Sequence, residues 1–253
     1  MNVIILAAGM GSRMKNLTAN QPKCFLKING ISLIERLINQ LKKLKVKDIS
    51  IVTGYKANKF NLKNINLFYN KDYKTTNMFY SLMKAKKKLS KDTLIIYSDI
   101  LLSTNLLKKM ITTKKEFAIA VDTDWRKYWK FRFDRILEDL ESLKINKKGF
   151  IQEIGKTTKS LKNIDARYIG IIRTSKNINK KIISIWKKNK NKKKTNWGIS
   201  GNSLNKSYMT DLINNLICSN EKIYCHAIKF KGGWYEFDNE QDYYKFKKIK
   251  FKM

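Results

Sequence analysis

The side chains with the clearest chemistry are Arg13 and Lys23 near the start of the chain, Asp99 near its middle, and Glu236 with Asp238 near its end. Arg13 closes the run Val3-Ile4-Ile5-Leu6-Ala7-Ala8-Gly9-Met10-Gly11-Ser12-Arg13, which reads as an apolar strand stopping in a loop of small residues. Gly9 and Gly11 have no Cβ to hold a ligand off and can take positive φ, so successive N–H groups can point at phosphate oxygens. Arg13 adds a planar fork of donors and Lys23, after Pro22, a point charge. Asp99 follows the apolar run Thr93-Leu94-Ile95-Ile96-Tyr97-Ser98. Ligands of open α/β sheets gather at the carboxyl ends of strands, so Asp99 belongs on the same rim as the glycine loop. A carboxylate there suits Mg²⁺, which takes one or two carboxylates and completes its shell with water and substrate phosphates. In Trp234–Asp238, alternation puts Glu236 and Asp238 on one face of an extended segment, where both can converge on one site. The plainer readings are a strand with its turn for the first motif and a capping carboxylate for Asp99.

The elements that must position these residues alternate between strand and helix. Ser32 with Glu35 forms a capping box, and Leu33, Leu37, Ile38, Leu41 and Leu44 repeat on one helical face. Asp48–Thr53 is a strand that ends at Gly54-Tyr55, and Ile65–Tyr69 is another. Thr76 or Asn77 caps a helix from about Phe79 to Lys88. A helix over Thr104–Thr113 and a strand over Phe117–Val121 lead into Asp122-Thr123-Asp124-Trp125-Arg126-Lys127-Tyr128-Trp129. Aromatic faces there can hold a quaternary ammonium and the cations a phosphate, with core packing as the plainer reading. Strands are expected around Leu143–Ile145, Phe150–Ile154 and Tyr168–Arg173, and the first two are joined by a turn at Lys147-Lys148-Gly149. Helices over Ile178–Lys188 and Ser203–Ile217, a strand over Lys222–Phe230 and a helix opening at Asn239 complete the order.

Leu6-Ala7-Ala8-Gly9-Met10-Gly11-Ser12-Arg13 together with Gln21-Pro22-Lys23 resembles the signature of the sugar-phosphate nucleotidylyltransferase superfamily, nearest its phosphocholine cytidylyltransferase-like branch. The resemblance implies a Rossmann-like α/β fold: a mixed, mostly parallel sheet flanked by helices, with a small β-rich acceptor or lid region. It implies transfer of CMP from CTP to the phosphate or phosphonate of a small acceptor, with Mg²⁺ as cofactor and pyrophosphate released. Lys23 and Arg13 would be catalytic by neutralising the triphosphate. Leu6, Ala7, Ala8, Gly9, Gly11, Ser12, Gly54, Tyr55, Thr76, Asn77 and Ser98 would meet the nucleotide. Asp99 and Asp238 would hold the metal, with Glu236 beside them. The stretch from Leu137 to Gly170 resembles the branch's acceptor half; Asp122, Trp125, Glu141, Lys156 and Tyr168 would contact the acceptor, although Glu141 also reads as a solvated surface charge. No extended C-terminal β-helix of the kind some relatives carry is evident. The acceptor stays open among phosphocholine, phosphoglutamine and phosphonate types, and a sugar 1-phosphate with UTP or dTTP is the alternative.

The 253 residues fit one domain, with a nucleotide half over about 1–122 and an acceptor half over about 123–253. A formal charge of +34 invites a nucleic-acid reading. Most of that charge is lysine scattered through every segment of an Asn- and Ile-rich chain, as AT-rich coding produces, and no base-reading module accompanies it. A non-catalytic nucleic-acid binder is therefore the remote reading, and the run from Lys187 to Lys194 reads as a solvated loop. A glycosyltransferase is kept in view only by Asp122-Thr123-Asp124. No apolar run is long enough for a membrane span and no signal peptide is evident, so the expectation is cytoplasmic. Cys24, Cys218 and Cys225 lack metal-ligand spacing and read as reduced thiols. Partners beyond the two substrates are open, a homodimer included.

Overall fold

The first strand, β1 (Asn2–Ala7), is buried along its whole length, as its unbroken apolar run requires, and it lies at the heart of the sheet. The computed structural model describes residues 1–133, 135–136, 138–191, 196–221 and 223–247. After β1 come the short hairpin β2 (Lys27–Ile28) and β3 (Ile31–Ser32), helix α1 (Leu33–Lys43), β4 (Asp48–Thr53), β5 (Asn66–Tyr69) and α2 (Met78–Lys84). The chain continues through β6 (Thr93–Tyr97), β7 (Ile100–Leu102), α3 (Thr104–Thr112), β8 (Phe117–Asp122), α4 (Trp125–Arg132), β9 (Glu141–Ile145) and β10 (Ile151–Thr157). It finishes with β11 (Arg167–Thr174), α5 (Lys176–Asn189), α6 (Met209–Ile217), β12 (His226–Phe230), β13 (Trp234–Glu236) and α7 (Glu240–Phe246).

Among the described residues, seven strands form the central sheet in the order β12-β8-β11-β6-β1-β4-β5. β1 is parallel to both neighbours, with Leu6 opposite Val52 of β4 and Tyr97 of β6. β11 runs antiparallel to both β6 and β8, which makes the sheet mixed. β9 pairs with β10, and β13 with β7, in small antiparallel sheets outside the main one. The fold is thus the mixed, mostly parallel α/β arrangement with a small β-rich region. Core side chains fill both faces: one layer joins Val3 and Ile5 to Leu37, Leu41, Leu107 and Trp129, and the other joins Ile4 and Leu6 to Phe79, Leu82 and Leu212.

Local chemistry explains most boundaries. The Ser32 hydroxyl and the Glu35 carboxylate cap α1 reciprocally, and Asn77 caps α2 by accepting from the Met78 N–H. Expectations change in three places. The segment after Asp122, which carried no expected element, is helix α4, because Trp125, Tyr128, Trp129 and Arg132 recur at helical spacing and are buried together. The helix expected to reach Lys88 gives way after Lys84 to a 3-10 turn over Lys86–Ser90, and the one expected from Ser203 begins at Met209 behind a 3-10 turn over Leu204–Lys206. Lys187 and Lys188 end α5; Lys192, Lys193, Lys194, Leu137 and Lys222 lie outside the described residues.

Candidate active site

The register of the sheet brings the ends of β1, β4 and β6 to one rim, where a cleft of about 650 Å³ opens. Leu6, Ala7, Ala8, Gly9, Gly11, Ser12, Arg13 and Lys23 line it from the first motif. Gly11 alone of the two loop glycines is left-handed, at φ 64°, and a Cβ there would lie 3.1 Å from that of Lys23. A side chain at Gly11 would therefore be strained and would push on the lysine. Pro22 is extended and leads into a single 3-10 turn, Lys23–Phe25, that aims Lys23 inward while Cys24 is buried behind it.

Lys23 Nζ is the centre of the site. It donates to Asp99 Oδ2 at 2.7 Å and to Asp238 Oδ1 at 3.2 Å, and Arg13 Nη2 reaches the same Asp238 oxygen at 3.1 Å. Asp99 follows β6 two residues past its end, and Asp238 follows β13, whose pairing with β7 (Glu236 opposite Ile100) brings the two acidic segments together. Burial works against the charge of Lys23, but Asp99 and Asp238 outweigh it and hold its pKa above the ordinary value. Burial also opposes the Asp238 charge, and Lys23, Arg132 and Arg13 overcome that, holding its carboxyl well below the usual range. Glu236 goes the other way: burial and the neighbouring Asp238 raise it against the pull of Arg132.

Arg132 was not among the residues the sequence singled out. Its side chain is 1% exposed, and it donates from Nη1 to Glu236 Oε2 at 2.7 Å and from Nη2 to Asp238 Oδ2 at 2.9 Å. A bidentate pair to Asp242, at 2.9 and 2.8 Å, completes its bonding. Asp242 also accepts from the backbone N–H of Asp238 and Asn239, so one carboxylate caps α7, braces the turn that carries Asp238 and anchors the arginine. The detectable signal is the buried stripe of α4, in which Arg132 follows Tyr128 by one turn.

Thr76, Asn77 and Ser98 line the cleft, as do Glu141 and Tyr168. Gly54 and Tyr55 do not. A Cβ on Gly54 would lie 2.6 Å from the carbonyl oxygen of Ala8, and the Tyr55 hydroxyl donates to the carbonyls of Thr18 and Ala19, so the pair braces the loop from behind. Asp122 is fully buried and accepts from Trp234 Nε1, Gly232 N and Asp124 N, which makes it an anchor for the segment before β13 rather than an acceptor contact. Trp125 is likewise sealed from solvent, with the Arg126 guanidinium over its ring. Lys156 is exposed on β10, away from the lining. The aromatic cage expected from the Trp125 segment is therefore core packing. Further residues bring polar groups to the cleft that the sequence did not single out for it, among them Tyr73, Ser81, Tyr97, Ser142, Arg167 and Thr210.

An open glycine loop, cations beside it and carboxylates within reach of those cations suit phosphate anions and a hard metal, which is the equipment of phosphoryl-group chemistry. Comparison with known proteins agrees. The chain is 38% identical over 188 residues to a CTP:phosphoglutamine cytidylyltransferase of Campylobacter jejuni, an alignment spanning 69% of this chain and 73% of that one. It is 36% identical over 123 residues to a choline-phosphate cytidylyltransferase of Streptococcus pneumoniae, covering 47% of this chain and about half, 53%, of the relative. The solved structure of a CTP:phosphocholine cytidylyltransferase from Streptococcus pneumoniae has the same fold, with a TM-score of 0.71 at 24% identity and 97% of each chain covered. Residues 3–158, which carry the glycine loop, Lys23, Asp99 and Arg132, match the MobA-like NTP transferase domain, and the chain belongs to that nucleotidyltransferase family.

Proposed function

We propose that the protein is a Mg²⁺-dependent cytidylyltransferase that moves CMP from CTP to the phosphate or phosphonate oxygen of a small acceptor and releases pyrophosphate. The observation that carries this reading is the placement of Lys23 between Asp99 and Asp238 at the mouth of the glycine loop. Similarity to cytidylyltransferases supports CTP as the donor. The acceptor oxygen attacks the α-phosphorus in line with the leaving pyrophosphate; one P–O bond forms as another breaks. An ionised phosphate is already a nucleophile, so no general base is needed. The chain's task is to bring two anions together and to stabilise charge on the α-phosphate.

The residues present fit the metal. Two carboxylates already share one cation, the Lys23 ammonium, through oxygen donors only, with a third, Glu236, held beside them by Arg132. Mg²⁺ takes one or two carboxylates and draws its other ligands from water and substrate phosphate. Asp99 and Asp238 would hold Mg²⁺, which when bound supplies Lewis-acid stabilisation of the phosphates. Lys23 and Arg13 would meet the phosphates, while Thr76, Asn77 and Ser98 would meet the nucleoside. We also read the chain as one catalytic unit, with segments before residue 122 and after residue 123 lining the same cleft. No membrane partner is proposed: among the described residues no helix is long and apolar enough to cross a membrane.

The test is pyrophosphate release with Mg²⁺, crossing the four ribonucleoside triphosphates and dTTP with small phosphorylated amines, phospho-amino acids, phosphonates and hexose 1-phosphates. Turnover with CTP and a small acceptor that is lost in Asp99→Ala supports the assignment. Turnover confined to UTP or dTTP with a sugar phosphate would move the protein to the sugar branch.

A further inference from the structure

Arg167 lines the cleft from the start of β11, which only β6 separates from β1, the strand that leads into the glycine loop. Its guanidinium carbon stands 4.1 Å from the centre of the Trp129 ring, and that indole is itself fixed by donating to the Glu138 carbonyl. The stacking orients the fork, yet its Nε is sealed from solvent without a hydrogen-bond partner, and among the described residues the side chain makes no ion pair. Glu141, from the start of β9, and Asp139, just before it, line the same cleft. Arg167 and Glu141 feel each other's charge without closing to ion-pair distance, and among the described residues the Glu141 side chain has no hydrogen-bond partner. Burial accordingly lowers the arginine's pKa and raises the glutamate's.

Opposite charges held half-buried in one cleft, without closing on each other, leave each charge to be met by a ligand. An acceptor bearing only an ammonium would satisfy Glu141 and leave Arg167 empty. The acceptor's phosphate attacks the α-phosphorus beside Lys23 and Arg13, so it does not call on Arg167. A guanidinium fork matches a carboxylate through two parallel hydrogen bonds. We propose that Arg167 and Glu141, with Asp139, form a receptor for a zwitterion, so that the acceptor is a phosphorylated α-amino acid whose carboxylate lies on Arg167 and whose ammonium lies on Glu141. This rests on the cytidylyl-transfer reading and selects one acceptor class within it.

The test compares three matched acceptors with CTP and Mg²⁺: O-phospho-L-serine, its decarboxylated counterpart phosphoethanolamine, and its deaminated counterpart 3-phosphooxypropionate. The same trio is run one methylene longer. The expected result is a kcat/KM for the zwitterion at least tenfold above either counterpart at one of the two lengths, the range for losing a charge-assisted hydrogen bond. Arg167→Met should collapse the preference over the decarboxylated acceptor and Glu141→Gln the preference over the deaminated one, with Arg167→Lys between. Circular dichroism and the melting temperature establish that each variant is folded. Equal use of phosphoethanolamine by the wild type overturns the proposal while leaving cytidylyl transfer standing. So does an equal loss for all three acceptors in Arg167→Met, which would mean that Arg167 holds the phosphate. If no acceptor yields pyrophosphate, the cytidylyl reading has failed and calorimetric titration of the same compounds decides alone. Preferential binding of the zwitterion that Arg167→Met abolishes supports the receptor; indifferent or absent binding refutes it.

Discussion

Replacing Arg132 by methionine separates the role of the buried arginine from that of the carboxylates it holds. The guanidinium makes four charge-assisted hydrogen bonds, to Glu236, Asp238 and twice to Asp242, from a side chain that is 1% exposed. Methionine fills much of the volume but returns no charge, so three carboxylates face one another across the gap. Removing one partner of a buried ion pair costs roughly 3–5 kcal/mol. In a chain of this size each kcal/mol moves the melting temperature by about 2–4 °C, so the expected fall is on the order of 6–20 °C. Activity should drop further than stability accounts for. At a temperature where the variant is fully folded, the Mg²⁺ concentration for half-maximal pyrophosphate release should rise at least tenfold, because Asp238 and Glu236 lose the group that orients them. Arg132→Lys keeps a charge without the fork and should fall between. A melting temperature within about 2 °C of wild type, or an unchanged Mg²⁺ dependence, would refute the assignment of Arg132 as the residue that orients the acidic segment.

Two further perturbations test neighbouring parts of the reasoning. Burial raises the Glu141 carboxyl against the pull of Arg167, with Asp139, Asp211 and Asp238 adding to the rise, so the folded protein holds that proton more tightly than the unfolded chain. Stability from this group is fully present below its ordinary pKa of 4.5 and is lost as the pH climbs through the raised folded value. Glu141→Gln should therefore melt close to wild type at pH 4 and above it at pH 8; a difference constant with pH in differential scanning calorimetry rejects the shift. Asp122→Ala leaves the Trp234 indole N–H and two backbone N–H groups without their acceptor, at about 1–3 kcal/mol for each stranded group. It should lower the melting temperature by at least about 6 °C at 2–4 °C per kcal/mol and reduce kcat/KM for CTP and acceptor together; a selective rise in the acceptor KM alone would restore Asp122 as an acceptor contact.

The meeting of the glycine loop and the strand-end carboxylate in one cleft was legible because their placement is local: Gly9 through Arg13 and Tyr97 through Asp99 are consecutive residues at the end of a strand, and one rim collects such ends. Glu236 and Asp238 were legible through the period of an extended chain. Arg132 and Arg167 were not, since what makes each of them notable depends on residues far away in sequence: Glu236 and Asp242 lie 104 and 110 residues from Arg132, and Arg167 stacks on Trp129 of another element. The Trp125 segment was misjudged for a related reason. Composition announced aromatics and cations side by side, but which ring faces stay open depends on packing, and in the fold Arg126 covers Trp125 while Arg132 and Arg167 lie over Trp129. Asp122 carried the same ambiguity, because a buried anchor and a solvent-facing ligand look alike at a strand end until burial is known.

The charge balance of the cleft leads to the last prediction. The chain carries +34 overall, yet its cleft is lined by Asp99, Asp139, Glu141, Glu236 and Asp238 against Arg13, Lys23 and Arg167. The long-range field attracts a nucleotide, whereas the carboxylates at the phosphate end repel it and already engage Lys23. One uncompensated pair of like charges about 8 Å apart costs about 2 kcal/mol at an effective dielectric near 20. CTP should accordingly bind on the order of thirtyfold more weakly in EDTA than in saturating Mg²⁺. Asp99→Asn removes one repelling charge and leaves Lys23 with Asp238 as its one carboxylate partner among the described residues, so it should tighten metal-free CTP binding even as it abolishes pyrophosphate release, a pairing that damage to the fold would not produce. Fluorescence or calorimetric titration of CTP with and without Mg²⁺ reads both effects. If wild type binds CTP equally well in EDTA, or if Asp99→Asn weakens metal-free binding, then Asp99 is not the carboxylate that keeps the triphosphate out until a divalent cation arrives.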